Sequence, residues 1–288
     1  MLRGTMRDRG LLFLYSLPLF FYGFTVLLPI LGTLLLSFYR WDGISNREWI
    51  GLANWGRLLG DEHFFHALRI SFAFTLAAWV IQTPLALGLG IYFARRGFFR
   101  QVAAFFAFLP LLFSSTAVGI IWLYILDPNL GILYYIPPLR SLNPLSESSA
   151  LVTLALVTSW QFIPFHTLLY QAAYQGIPHE LYEAAYLDGA GEWDAFWHIT
   201  LPLLRPTIIT SSFIIVVGSL TYFDLIWVMT QGGPGYATTN LPVYLYRLAF
   251  QSQNVGYGAT VGAFLALLAL GLSWLLIGRS GVLGRRWS

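Results

Sequence analysis

The chain has 288 residues, of which 57% are hydrophobic and only 10% are charged, and its formal net charge is +3. About a quarter of the residues of a typical soluble domain are charged, so the composition excludes an ordinary soluble protein and predicts a membrane protein. The chain has no Cys, which excludes disulfides and thiolate metal sites, and its sixteen basic residues are all Arg, which excludes a phosphate-binding loop that depends on Lys.

Six apolar runs are long enough for transmembrane helices, which need about 20 mostly apolar residues. The predicted spans are residues 11–38, 70–94, 102–126, 150–174, 207–230 and 256–278. Arg residues precede the first run, but the run is too long for the core of a signal peptide, so we expect it to be retained. The sequence thus predicts an all-α membrane protein with six transmembrane helices in one domain, residues 1–288.

The distribution of Arg between the loops predicts the orientation of the spans, because short cytoplasmic loops are enriched in basic residues. With the N-terminus in the cytoplasm, ten Arg residues lie inside and six lie outside. The inner set is Arg3, Arg7, Arg9, Arg95, Arg96, Arg100, Arg205, Arg279, Arg285 and Arg286. The outer set is Arg40, Arg47, Arg57, Arg69, Arg140 and Arg247. Both termini are therefore predicted to be cytoplasmic.

The three outer connections, at about 40–66, 127–147 and 231–247, are longer than turns require and are rich in Gly, Pro, Asn and Trp. Two interpretations are open for them. They are structured loops that pack on the outer ends of the spans, or they form a docking surface for an extracytoplasmic partner.

The connection between the fourth and fifth spans, residues 176–204, is the most polar long connection of the chain. Pro178 suits the first position of a helix, Gly189 and Gly191 are expected to end that helix, and a second short helix is expected at 194–201. A stiff element of this kind can transmit movement between the membrane and a partner, or it can lie on the membrane surface as a helical hairpin. The residues alone leave both interpretations open.

The spacing of residues in this connection resembles the signature loop of the membrane subunits of binding-protein-dependent ABC importers. That signature reads E-A-A-x-x-x-G-x9-I-x-L-P, and its positions here are Glu183, Ala184, Ala185, Gly189, Ile199, Leu201 and Pro202. Two further motifs resemble the carbohydrate-importer branch and its MalF-like permeases. They are Gly51-Leu52-x-Asn54-Trp55 after the first span and Thr230-Gln231-Gly232-Gly233-Pro234 after the fifth. The resemblance covers about residues 11–278.

The resemblance implies a MetI/MalF-like type I ABC importer permease fold with a cytoplasmic coupling helix, in the inner or plasma membrane of a bacterium or archaeon. It implies a pore formed with a second permease subunit and two ATPase subunits that hold ATP and Mg. It also implies an extracytoplasmic solute-binding protein that delivers a mono- or oligosaccharide. The seven signature residues would couple this chain to the ATPases. The chain itself would be a transporter subunit in the lipid bilayer rather than an enzyme, without a cofactor, metal or nucleic acid of its own.

Polar and aromatic residues inside the fourth and fifth spans are the candidate sugar contacts, because polar groups within spans are costly and often functional. Transporter sites also tend to lie near the membrane midplane. The candidates are Thr158, Gln161, Phe162, Phe165, Gly218, Ser219, Tyr222 and Asp224. In the family the cavity contacts come from these same segments, although most residue identities differ. Helix packing is the alternative for each residue, and for Asp224 a place at the membrane interface.

Other functions are also open. In a transporter driven by ions, Asp224 and His166 would form a proton relay, although His166 also fits a packing role. An ABC permease for another solute such as glycerol phosphate would favour an Arg in its cavity, and no predicted span contains one. An intramembrane enzyme finds no support, because the chain lacks H-E-x-x-H, G-x-S-x-G and Cys.

Overall fold

The computed structural model describes residues 15–95, 97–137 and 143–278. The first four residues of the first predicted span lie outside this part of the chain. So do eight of the Arg residues behind the predicted orientation: Arg3, Arg7, Arg9, Arg96, Arg140, Arg279, Arg285 and Arg286.

The helices of the described residues are numbered in chain order. They are α1 (Tyr15–Leu36), α2 (Ala53–Leu59), α3 (Glu62–Ala94), α4 (Phe98–Phe108), α5 (Ser115–Ile125), α6 (Ala150–Gln175), α7 (His179–Leu187), α8 (Glu192–Leu220), α9 (Asp224–Thr230), α10 (Leu241–Tyr246) and α11 (Val255–Gly278). Short 3-10 turns occur at Leu109–Leu112 and Ile132–Tyr135, and π-helical turns at Gly23–Leu27, Phe196–Thr200 and Arg247–Gln251. Two short strands, β1 (Tyr39–Arg40) and β2 (Glu48–Trp49), pair antiparallel.

Five of these helices are long and apolar enough to cross a membrane, namely α1, α3, α6, α8 and α11. A sixth candidate is a broken one, in which α4 with its 3-10 turn meets α5 at an angle of 103°. The predicted fold class, an all-α membrane protein with six spans, is confirmed when this bent pair is counted as one span.

The third predicted span, 102–126, is therefore not a straight helix. Pro110 is buried in the 3-10 turn, and Phe113 after it is extended, with ψ at 144°. Ser114 then caps the N-terminus of α5, because its hydroxyl accepts a hydrogen bond from the backbone N–H of Ala117 at 3.2 Å. The run is apolar throughout, so its composition does not reveal the break.

The fifth predicted span, 207–230, differs in two ways. α8 already begins at Glu192, so the prediction of a separate short helix at 194–201 is wrong. Pro202 and Pro206 lie within α8, directly after its π-helical turn. Prolines are tolerated in membrane helices where local adjustments of this kind satisfy the backbone groups that proline leaves without a partner. At its other end α8 stops at Leu220, and residues 221–223 separate it from α9.

The described chain forms two compact units. The first contains residues 15–64 and 244–268, and the second contains 65–243 and 269–278 where described. The expectation of one domain over residues 1–288 stays a prediction.

In the first unit, the motif after the first span binds the backbone at the end of α1. Asn54 donates to the carbonyl oxygens of Ser37 and Tyr39 at 3.0 and 2.9 Å, and the indole N–H of Trp55 donates to the Ser37 hydroxyl at 3.1 Å. Gly256 lies against the same segment, where a Cβ would stand 2.0 Å from the Tyr39 carbonyl oxygen. Glycine is therefore required for this close approach.

The first unit also contains a carboxylate that collects hydrogen bonds. Asp61, directly before α3, accepts from the hydroxyls of Tyr244 and Tyr257 and from the backbone N–H groups of His63 and Phe64. Partial burial alone would raise the pKa of Asp61, but these four hydrogen bonds outweigh it and lower the pKa below its usual value. The carboxylate therefore ties three separate parts of the chain together.

The second unit is organised by a hydrophobic core between α3, α5, α6 and α9. Its buried members include Phe74, Val118, Leu154, Leu225 and Ile226. This core fixes α6 and the break that follows α8, and the cavity described below is built from both.

The Asp61 cluster generates a pH-dependent prediction. The Asp61→Asn variant is expected to lower the apparent Tm of the detergent-solubilised protein by a few degrees at pH 7, because hydrogen bonds to a partly exposed carboxylate contribute about 1 kcal/mol. Because the pKa of Asp61 is lower in the folded protein than in the unfolded chain, its ionised form stabilises the fold at pH values above the unfolded pKa of about 3.9. This stabilisation is lost as the pH falls through the folded pKa. The Tm difference from wild type should therefore shrink below about pH 4.

The matched control is Glu147→Gln, which changes an exposed carboxylate and is expected to leave the Tm unchanged. If the Tm difference between Asp61→Asn and wild type is as large at low pH as at pH 7, the ionised carboxylate of Asp61 is not what stabilises this cluster.

Candidate functional site

A cavity of about 300 Å³ lies in the second unit between α3, α6 and α8. It also borders two helix breaks, at residues 113–114 before α5 and at residues 221–223 after α8. Its described lining residues are Gln82, Leu111, Thr158, Phe162, Phe165, His166, Ile214, Ile215, Gly218, Ser219 and Tyr222. Six of the eight residues predicted for a sugar site are among them: Thr158, Phe162, Phe165, Gly218, Ser219 and Tyr222. The structure thus brings most of the predicted residues together, and their role in binding sugar stays a prediction.

The two remaining candidates lie elsewhere. Gln161 is buried beside the cavity, and Asp224 is exposed at the first position of α9. The predicted fifth span is interrupted at residues 221–223, so Asp224 begins a new helix. There its negative charge is favourable, because the N-terminus of a helix carries a partial positive charge.

Gln161 holds the two helix breaks together. Its amide N–H donates to the carbonyl oxygen of Phe113 at 3.1 Å, and its amide oxygen accepts from the hydroxyl of Tyr222 at 3.3 Å. Asn240 adds a hydrogen bond to the carbonyl oxygen of Tyr222 at 2.6 Å. Gln161 therefore positions the Tyr222 side chain at the cavity wall instead of lining the cavity.

Thr158 presents a hydroxyl without a hydrogen-bond partner among the described residues, although its side chain is only 2% exposed. Burial of an unpaired hydroxyl is unfavourable. Thr158 therefore lies in the cavity wall with a hydroxyl whose hydrogen-bonding capacity is unused among the described residues.

Aromatic rings form a second part of the wall. The ring of Tyr222 stacks on that of Phe74, with centroids 6.3 Å apart. The ring of Phe162 packs edge to face against the same Tyr222 ring, at a centroid distance of 5.7 Å. Rings held this firmly offer flat apolar faces for stacking.

Two polar lining residues were not predicted as ligand contacts. His166 shares a hydrogen bond of 2.9 Å with the hydroxyl of Ser211, so it fits the expected packing role and also lines the cavity. Gln82 is buried on α3, with its amide 3.4 Å from the hydroxyl of Ser159. A polar residue in the second predicted span, two positions before Pro84, is the signal that could have identified it.

The signature loop is the second part of the site. The residues of α7 include Glu183, which is exposed and pairs with His179 at 3.2 Å. Ala184 next to it is exposed, so its small side chain leaves the helix surface open to a neighbour. Pro178 lies one position earlier than expected, as the N-cap of α7.

Gly189 has a backbone reason for its identity. Its φ of +85° lies in the left-handed region, where a residue with a Cβ is strained and glycine is not. No atom stands within 4 Å of the position that a Cβ would take. The turn after α7 therefore depends on the conformation that glycine allows and not on close packing within this chain.

The remaining signature residues lie where the loop enters α8. Ile199 belongs to the π-helical turn, and Leu201 and Pro202 begin the regular part of the helix. Thr200 between them is buried, and its hydroxyl lies 2.8 Å from that of Tyr182 on α7. Burial raises the pKa of Tyr182 above its usual value, and the hydroxyl of a tyrosine is protonated at neutral pH in either case. Neither Tyr182 nor Thr200 was predicted from the sequence.

The charge pattern of the cavity is simple. None of its eleven described lining residues is an Arg or a carboxylate. Among the residues that the structure describes, no group of three or more His, Asp or Glu side chains is placed to hold a metal ion. The described wall is therefore mostly apolar and contains neither an Arg nor a carboxylate.

Comparison with known proteins gives the family. Residues 82–279 match the model of the family described as binding-protein-dependent transport system inner membrane component. The trehalose/maltose transport system permease protein MalF of Thermococcus litoralis is 30% identical over 88% of this chain and 88% of its own length. The sn-glycerol-3-phosphate transport system permease protein UgpA of Agrobacterium fabrum is 30% identical over 80% of each chain.

The fold also matches a solved structure. A chain of a bacterial ABC transporter involved in the import of the acidic polysaccharide alginate aligns with a TM-score of 0.84 and 22% identity. The alignment covers 97% of this chain and 98% of that one. At this identity the likeness shows the fold alone.

The hydrogen bonds of Gln161 generate a stability prediction. In the Gln161→Leu variant the carbonyl of Phe113 and the hydroxyl of Tyr222 both lose a buried partner, so we expect a loss of about 1–3 kcal/mol. Thermal unfolding in detergent measures it as a lower apparent Tm.

The control is Gln251→Leu, at an exposed position, with an expected change within about 0.5 kcal/mol. Equal apparent Tm values for the two variants would show that Gln161 does not support the helix breaks.

Proposed function

The chain belongs to the family of binding-protein-dependent transport system inner membrane components, and on that premise we propose that it lines the pore of an ATP-driven sugar importer. It is a membrane transporter subunit and not an enzyme. One observation carries the proposal. A single helix, α8, begins at the signature loop and ends at the cavity, so it joins the two parts of the site directly.

The cavity supports a sugar as the transported solute. Sugars offer an apolar ring face for stacking and hydroxyls for hydrogen bonding, and the wall provides Phe162, Phe165 and Tyr222 beside the unpartnered hydroxyl of Thr158. Its volume of about 300 Å³ is at the lower end for ligand sites, so it suits one sugar ring or a short piece of an oligosaccharide.

The signature loop supports an ATPase as the cytoplasmic partner. The loop carries exposed acidic and apolar side chains, including Glu183, Leu187 and Trp193. In this proposal two ATPase subunits, which hold ATP and Mg, bind α7 and its counterpart in a second permease. A solute-binding protein delivers the sugar from outside. Both termini of the chain then lie in the cytoplasm, together with α7.

A phosphorylated solute is the second candidate. The relative from Agrobacterium fabrum is a permease of an sn-glycerol-3-phosphate system. A phosphate group favours Arg partners, and the described cavity wall has none, so the neutral sugar is the better fit. Family membership leaves no support for the ion-driven transporter or the intramembrane enzyme.

The signature loop generates a binding prediction. The Glu183→Lys variant places a positive charge where the proposed ATPase groove accepts a negative one, so ATPase binding is expected to weaken by about tenfold or more. Co-purification of the ATPase with the tagged chain measures this, while the six spans stay folded.

Glu147→Lys is the control, because it reverses an exposed charge outside the signature loop. If Glu183→Lys retains the ATPase and transports sugar as well as this control does, the coupling role of Glu183 is wrong.

The cavity generates a transport prediction. The Thr158→Val variant removes a hydroxyl that has no partner in the described protein, so the apparent Tm should stay the same or rise slightly. If that hydroxyl binds sugar, uptake at subsaturating sugar should fall by about threefold to tenfold. The measurement is ATP-dependent uptake into proteoliposomes that contain the complete importer.

Thr75→Val provides the matched control, because Thr75 is also a buried hydroxyl without a partner in the described residues but does not line the cavity. Equal uptake by the two variants removes Thr158 from the sugar site.

A further inference from the structure

A hydrogen bond between two side chains joins the signature helix α7 to α8. The hydroxyls of Tyr182 and Thr200 lie 2.8 Å apart. The Thr200 hydroxyl also lies 3.4 Å from the carbonyl oxygen of Ala195. Either hydroxyl can be the donor in the bond between the two helices, and that bond is much shorter than the contact of Thr200 with Ala195.

Packing does little to hold α7 in place. None of its nine described residues is buried, and Tyr182 makes its nearest described ring contact with Tyr174, at a centroid distance of 6.3 Å. A cavity of about 390 Å³, lined in part by Tyr182, Tyr186 and Thr200, opens beside the hydrogen bond. The bond therefore carries a large share of the connection between α7 and α8.

The backbone between the two helices does not replace this bond. Residues 188–191 form a tight turn around Gly189, whose φ is +85°. A turn of this kind lets α7 tilt relative to α8 unless a side-chain contact prevents it. α8 itself is continuous, and the 18 residues from Thr200 to Gly218 at the cavity correspond to about 27 Å of helix.

We propose that Tyr182 and Thr200 form a latch that converts movement of α7 into movement of the cavity end of α8. The proposal rests on the proposed function, in which the ATPases move α7. With the latch closed, α7 and α8 move as one body, and the positions of Gly218 and Ser219 follow the ATPase. Without it, α7 tilts at Gly189 and ATP is hydrolysed with less sugar transported. Tyr182 and Thr200 are thus positioning residues for transport.

The test compares sugar transported per ATP hydrolysed in proteoliposomes that contain the complete importer. Tyr182→Phe keeps the ring and removes one of the two hydroxyls, and Thr200→Val keeps the shape and removes the other. Each is expected to lower the ratio by about threefold to tenfold, the effect of one hydrogen bond on an equilibrium. The ATPase should still co-purify. The double variant should be no worse than either single one, because both remove the same interaction.

Three further variants separate the latch from general damage. Thr200→Ser keeps the hydroxyl and should restore the ratio. Thr210→Val is the matched threonine control, because the described hydrogen bond of the Thr210 hydroxyl is local, to the carbonyl oxygen of Pro206 at 3.0 Å on the same helix. Tyr124→Phe removes a hydroxyl from an exposed tyrosine of α5. Both controls should match wild type, and ratios for Tyr182→Phe and Thr200→Val equal to theirs would overturn the latch.

A second measurement does not depend on the ATPase. In the isolated chain in lipid nanodiscs, backbone amides of residues 179–187 should exchange with deuterium about threefold to tenfold faster in Tyr182→Phe than in Tyr124→Phe. Equal exchange overturns the latch even if the importer works. If the two variants differ in exchange as expected but the wild-type complex shows no ATP-driven uptake, the result counts against the proposed function and supports the contact between Tyr182 and Thr200.

Discussion

A backbone group that loses its helical partner inside a membrane must find another partner within the protein. The second unit meets this constraint at two helix breaks, after Phe113 and after Leu220. Gln161 bonds the carbonyl of Phe113, and Asn240 bonds the carbonyl of Tyr222. Because these side chains donate hydrogen bonds to the backbone carbonyls at the breaks, α5 and α9 can turn away from the helices that precede them. The cavity lies where the helices diverge.

The same constraint explains what the sequence could and could not predict. Apolar runs predicted the six spans. In the fourth span Thr158, Gln161, Phe162 and Phe165 were the predicted contacts, and all of them except Gln161 line the cavity. The breaks escaped prediction because the partners that permit them are distant in sequence: Gln161 lies 48 residues from Phe113. Leu111 escaped for the same reason, since only the tertiary fold brings it to the cavity, whereas Gln82 carried a sequence signal as a polar residue within a span.

The signature loop was predictable at the level of motif and only partly at the level of structure. The position of Gly189 marked the end of a helix, and its left-handed φ gives the reason. The predicted end of a short helix before Pro202 was wrong, because α8 continues through Pro202 after a π-helical turn. In the proposed function that continuity matters, since a helix of 29 residues carries movement from the end of the signature loop to the distant cavity.

The most direct test of the account is uptake of labelled neutral sugar into proteoliposomes made with the importer purified from native membranes. The account predicts that uptake requires ATP on the side of α7, requires a sugar-loaded binding protein on the other side, and survives collapse of the membrane potential by ionophores. Uptake by this chain alone without ATP, abolished by the same ionophores, would contradict it.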